Sequence, residues 1–202
     1  MKEGTMLRNY TALTSTLLQP AVGYAQPTQP LPEKVTLDDP ALQVLTDFQR
    51  VTAIIILAGD TLDEAHSRMI KRGVRLLLVV DQNRKVMGLI TANDILGEKP
   101  MQVIAQRSIR REELLVRDIM TPQERLQVLN LEDVRAAKVG HIVATLKAAG
   151  RQHALVGEID AAGRQTVRGM FSATQIALQL GVTIQTSQVA RTFSEIEATL
   201  AR

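Results

Sequence analysis

Two short spans hold the residues most able to do chemistry. Residues 88–96 read GLITANDIL, with Thr91 three places before Asp94; residues 169–175 read GMFSATQ, with Ser172 three places before Gln175. Thr-x-x-Asp is first of all a helix start. The hydroxyl accepts a backbone N–H at the third helical position, and the carboxylate reaches back to the cap N–H. The same geometry suits a ligand. A helix start offers free N–H groups and positive partial charge to an anion. The Thr91 hydroxyl can donate to a phosphate, and a carboxylate such as Asp94 can accept both hydroxyls of a diol. Asn93, in the same turn, is grouped with them. Ser172-x-x-Gln175 keeps the capping pattern without the carboxylate.

The elements that position these spans follow from hydrophobic period and punctuation. Residues 51–57 (VTAIIIL) read as a buried strand. Thr61 and Glu64 form a capping box, and Leu62, Ala65, Met69 and Ile70 recur at helical spacing up to Gly73, a C′ residue. Residues 74–80 (VRLLLVV) are a second strand, 81–84 a turn, and 86–90 a hairpin partner. Thr91 then opens another helix. The order is strand, helix, strand, strand, helix.

This unit recurs. Thr46 is echoed by Thr121, Gly73 by Gly150 and Gly88 by Gly169, at offsets of 75, 77 and 81. The largest step falls where DAAGRQT replaces the shorter turn DQNRK. An imperfect tandem repeat of about 75–80 residues organises the chain. It divides into an extended arm at 1–34, rich in Thr, Gln and Pro; a first repeat at 35–97; a linker at 98–115; a second repeat at 116–181; and a tail at 182–202 with a short helix from Ser194.

Composition excludes several classes. The 202 residues include no Cys, so disulfides, thiol catalysis and Cys-ligated zinc are out. Aromatic residues make up 2% and net charge is +3, which gives little for base stacking or a DNA footprint. Nucleic acid is not an expected partner. No window approaches 18 uninterrupted apolar residues, so no membrane helix is expected, and the location read is cytoplasmic. The three histidines, His66, His141 and His153, sit in no metal or nucleophile motif, and no Gly-x-Ser-x-Gly elbow, HExxH or Walker loop occurs. Catalysis is not expected.

The repeated unit, with G-h-h-[ST]-x-x-[DN] opening its last helix, resembles the CBS domain (cystathionine beta-synthase type). VRDIMTP at 116–122 resembles the segment that leads into such a repeat, and GVRLLLVVD at 73–81 with VMGLITANDIL resembles the domain's most recognisable half. The resemblance spans about residues 40–180 and is weaker in the second repeat. It implies an α/β (α+β) fold: a pseudo-twofold pair of repeats, or Bateman module, of the stand-alone bacterial kind, with two clefts. It also implies a regulatory ligand of adenosine type, AMP, ADP, ATP or S-adenosylmethionine, alone or with Mg, and no required cofactor. Asp94 then grips a ribose, and Arg75 and His153 face phosphate. Thr46, Val51, Thr52 and Ala53 lie where adenine rests against backbone and aliphatic side chains. With Gln175 in place of the acid, one good site is expected, centred on Thr91 and Asp94, and Ser172 is left to meet an anion. The resemblance further implies a homodimer that reports to an unidentified regulated protein. The alternatives are an adaptor dimer that binds protein without ligand, and a weak nucleic-acid binder.

Overall fold

A computed structural model of the chain describes residues 29–182. Most of the expected arm, and the helix expected from Ser194, lie outside the described residues. In chain order the elements are β1 (Thr46–Asp47), β2 (Ile55–Leu57), α1 (Leu62–Arg72), β3 (Leu76–Val80), β4 (Val86–Thr91), α2 (Ala92–Leu96) and α3 (Lys99–Arg107). Then come α4 (Val116–Ile119), β5 (Thr121–Pro122), β6 (Val128–Asn130), α5 (Leu131–Ala136), α6 (Val139–Ala148), β7 (His153–Ile159), β8 (Gln165–Ser172) and α7 (Ala173–Gln179). The mixed α/β architecture matches the expected fold class.

Local chemistry explains the first unit. The Thr61 hydroxyl accepts the Glu64 N–H at 3.2 Å, and Glu64 Oε2 accepts the Thr61 N–H at 2.8 Å, which caps α1. Gly73 ends the helix at φ +62°, and Gly150 ends α6 at +59°, a conformation that only Gly adopts without cost. Leu62, Ala65 and Met69 are buried, but Ile70 is 68% exposed and leaves the expected face. One step of about 100° round the helix carries it off the stripe that the other three define. β3 (LLLVV) is buried at all five positions, as suits a strand covered on both faces and parallel to β2. The strand expected at 51–57 is formed only at Ile55–Leu57.

Each repeat contributes a β-strand pair with the same irregularity. β3 and β4 slip register between Val79 and Val80, and β7 and β8 between Val156 and Gly157. The larger feature is an exchange. The sheets run β2-β3-β4-β5 and β1-β8-β7-β6, so each two-residue lead-in strand joins the sheet of the other repeat. Thr46 pairs with Met170 and Asp47 with Gly169; Leu89 pairs with Thr121 and Gly88 with Pro122. Isolated bridges extend the exchange, Pro40 to Lys138 and Thr61 to Leu115, each at the start of the other repeat's helix.

The cores obey the exchange. Leu114, Val116 and Ile119, at the entry to the second repeat, are buried with Ile56, Leu62, Leu77 and Ile90 of the first. Val35, Ala41, Val44 and Leu45, at the entry to the first repeat, are buried with Leu131, Ile142, Phe171 and Ile176 of the second. At about 1.5–3 kcal/mol for each fully buried aliphatic side chain, these segments are integral to the halves they close. A third cluster, Leu76, Leu78 and Leu155 with Leu89, Leu126 and Met170 packed against it, joins the two sheets.

Two devices fix the lead-in strand β1. Arg168 grips Asp47 bidentately, Nε to Oδ1 at 2.8 Å and NH2 to Oδ2 at 2.9 Å, and its NH1 donates to Glu158 at 3.0 Å. The Gln29 side chain bonds both neighbours of Thr46, donating to the Leu45 carbonyl at 2.8 Å and accepting the Asp47 N–H at 2.9 Å.

Candidate functional site

Two clefts open beside the interface between the sheets. One, of about 460 Å³, is lined by Thr91, Asn93 and Asp94, by Thr121, Arg125, Leu126 and Gln127, and by Arg75, Arg151, Gln152 and His153. The other, of about 490 Å³, is lined by Ser172, Thr174 and Gln175, by Thr46, Val51, Thr52 and Ala53, and by Arg72, Arg75 and His153. Each cleft therefore joins the helix-opening motif of one repeat to the lead-in segment of the other. This is the strand exchange carried on to the surface.

The expected ligand-binding residues are divided accordingly, Ser172 falling in the second cleft as expected. Asn93, Thr91 and Arg75 line the Asp94 cleft, as does His153; Thr46, Val51, Thr52, Ala53 and Ser172 line the other. The correction has a topological cause: β1 pairs with β8, so the segment C-terminal to β1 lies beside Ser172. The places expected of Thr46, Val51 and Thr52 are taken by Thr121, Leu126 and Gln127, each 75 positions later. Arg125, Arg151 and Gln152 complete that cleft and were not foreseen. The Thr46–Thr121 echo, extended along both segments, was the signal that would have found residues 125–127.

Register places His153 one position beyond the counterpart of Arg75. Leu76 pairs with Thr91 as His153 pairs with Ser172. The Arg75 carbonyl accepts the Ala92 N–H at 2.9 Å, and the Gln152 carbonyl accepts the Ala173 N–H at 2.8 Å. The counterpart of Arg75 is therefore Gln152, and that of His153 is Leu76.

The two caps differ in kind. Asp94 Oδ2 accepts both the Thr91 N–H, at 2.9 Å, and the Thr91 hydroxyl, at 2.6 Å, while the Thr91 oxygen accepts the Asp94 N–H at 3.3 Å. Thr91 is thus engaged in the cap of α2, which has five residues. Lys99 Nζ, from α3, donates to Asp94 Oδ1. A carboxylate has about four lone-pair sites; one of them, on Oδ1, is left for a further donor. In the second repeat Ser172 Oγ accepts the Gln175 N–H at 3.4 Å, without the return contact expected of a full capping box. The Gln175 side chain lines its cleft, which has no carboxylate in its wall.

His153 lies at the boundary of both clefts. Burial, and secondarily the charge of Arg75, lower its pKa from the usual 6.5 to about 4. It is therefore neutral at pH 7, and a hydrogen-bonding group rather than a cation there. Linkage gives a prediction. The unfolded chain takes up a proton near pH 6.5 that the folded chain refuses until about pH 4, so stability falls as pH falls through that window. The loss expected by pH 4 is about 3 kcal/mol. His153→Leu, which installs the residue found at position 76, should flatten this part of the curve in urea unfolding from pH 7 to 4. An unchanged slope would show that His153 does not cause it.

Residues 46–100 match the CBS domain family. The second half repeats that unit with the same strand register, the same slip in its strand pair and the same left-handed glycine at its helix end. Residues 46–100 thus match one CBS domain, and the second half has the same architecture. In overall fold it is similar to an uncharacterized conserved protein from Pyrococcus horikoshii, at 18% identity and a TM-score of 0.52 over 76% of this chain and 100% of that one. Other similar structures are CBSX2 from Arabidopsis thaliana in complex with AMP and the CBS domain pair of protein MJ0100 in complex with 5-methylthioadenosine and S-adenosyl-L-methionine. The former is 18% identical, with a TM-score of 0.47 over 71% of this chain and 98% of that one. The latter is 20% identical, with a TM-score of 0.48 over 71% and 97%. No curated protein matches. Among the described residues, no helix is long and apolar enough to cross a membrane, and no cluster of His, Cys, Asp or Glu is placed to hold a metal.

Proposed function

We propose that this CBS pair is a regulatory module that takes an adenosine-type nucleotide in the Asp94 cleft and reports its occupancy to a separate protein, as a homodimer. The observation that carries this reading is the composition of the cleft wall. Leu76, Leu89, Leu126 and Leu155 supply an apolar surface for a flat base, Asp94 is the one carboxylate, and arginines stand nearby for phosphate. These are the three chemistries of a nucleotide, brought together from two repeats. The second cleft has apolar wall and Arg72 but no acid for a diol, which favours a single adenosine site per chain.

Asp94 also supplies a route for the signal. With one acceptor site left on Oδ1, a ribose diol competes with Lys99 for the carboxylate. Lys99 is half exposed, so the pair is weak in water and readily exchanged. Its release frees the start of α3, the helix that leads towards the second repeat.

The test is thermal unfolding against AMP, ADP, ATP, S-adenosylmethionine and GTP, with Asp94→Asn beside the natural chain. A ligand of the folded state alone adds about 2.7 kcal/mol at a hundredfold excess over its dissociation constant. The expected result is a rise in Tm with an adenosine compound that is lost in Asp94→Asn. No rise with any compound at millimolar concentration would leave Thr91 and Asp94 as a cap alone and the pair as an adaptor.

A further inference from the structure

We infer that the Asp94 cleft selects adenosine nucleotides with two or three phosphates over the monophosphate and over S-adenosylmethionine; this rests on the nucleotide reading above and sharpens it. The wall of the cleft holds Arg75 before β3, Arg125 before β6 and Arg151 after α6. All three are exposed, and none makes a side-chain hydrogen bond or ion pair with any described residue. Six of the other arginines, Arg68, Arg107, Arg110, Arg135, Arg164 and Arg168, each meet a carboxylate.

The charge balance is one-sided. Asp94 is the only acid in the wall and is already matched by Lys99. Three guanidinium charges therefore remain uncompensated around one cavity. A terminal phosphate carries about −1.5 to −2 charges and is matched by one or two of them. A di- or triphosphate adds the charge and the oxygens to meet all three, and guanidinium forks bind such oxygens bidentately. The sulfonium of S-adenosylmethionine brings positive charge into a positive field, which opposes it. The three arginines come from three separate segments, so an extended anion reaches them more readily than a compact one.

The experiment is titration calorimetry on the full chain at fixed ionic strength with adenosine, AMP, ADP, ATP, S-adenosylmethionine and tripolyphosphate. ADP or ATP should bind at least tenfold tighter than AMP, with an affinity that falls more steeply with salt. Arg125→Gln and Arg151→Gln should each bring the ADP-to-AMP ratio down about three- to tenfold while leaving the unliganded melting temperature in place, since neither side chain holds the fold together. AMP or S-adenosylmethionine binding as tightly as ADP and ATP would overturn the inference and leave the nucleotide reading standing. Tripolyphosphate binding with no nucleotide bound, or no binding of any kind, would overturn both.

Discussion

Gly169→Ala loses about 2–4 kcal/mol of unfolding free energy, and Gly88→Ala a similar amount. A Cβ on Gly169 falls 2.4 Å from the Thr46 carbonyl oxygen, and one on Gly88 falls 2.4 Å from the Thr121 carbonyl oxygen. Both obstacles are backbone, so no side chain can turn aside. The lead-in strand must move off the sheet, and its partners go with it. The Gln29 contacts to Leu45 and Asp47 tie β1 in place on one side, and Leu114, Val116 and Ile119 anchor β5 on the other. Gly59→Ala is the control, because its Cβ meets nothing within 4 Å. Urea unfolding of the three variants checks the exchange directly. Losses at 88 and 169 no greater than at 59 would mean that the lead-in strands do not cross as described.

Arg168→Met comes next in expected effect, at about 3 kcal/mol, with Asp47→Asn less severe. Removing the guanidinium leaves Asp47, which is 7% exposed, with only the Gln49 N–H and a long contact to the exposed Arg50, and takes a partner from Glu158. A poorly compensated charge in a largely enclosed place is the costly half of such a pair. Asp47→Asn leaves Arg168 its bond to Glu158 and so should cost about half as much. The pH dependence has a definite sign. Hydrogen bonds from Arg168 hold the Asp47 carboxyl below the usual carboxylate range, against the opposing effect of burial. Its contribution is full above the ordinary Asp pKa and is lost as pH falls through the lowered one. A double-mutant cycle with unfolding measured at pH 7 and pH 3 checks both statements. A coupling between 47 and 168 that is absent at pH 7, or as large at pH 3 as at pH 7, contradicts them.

What the sequence made legible was local. The caps at Thr61 and Thr91 and the left-handed glycines at 73 and 150 depend on neighbours three or four residues away, and each formed. The repeat was also visible, because Gly88 and Gly169 are fixed by the same backbone crossing. The partner of each lead-in strand was not. β1 and β5 have two residues each, too few to show a period. Two similar repeats offer each strand two similar sheets, and hydrophobic pattern does not choose between them. That ambiguity placed Thr46, Val51, Thr52 and Ala53 beside Asp94 and left Arg125 and Gln127 unnoticed. The half-formed cap at Ser172 was hidden for another reason: Ser-x-x-Gln permits the return contact without requiring it.

The crossing of the lead-in strands also sets an order of assembly. Asp47 leaves the ribosome well before Arg168, the residue that holds it, 121 positions further along the chain. β1 is made early yet is among the last segments to find its place, and it waits while the second repeat is synthesised. Contacts this distant slow folding, and the waiting strand presents unpaired backbone groups. Until β8 arrives, the β8 of a neighbouring chain is an equally good partner, so crowded synthesis favours chains that trade their first strands.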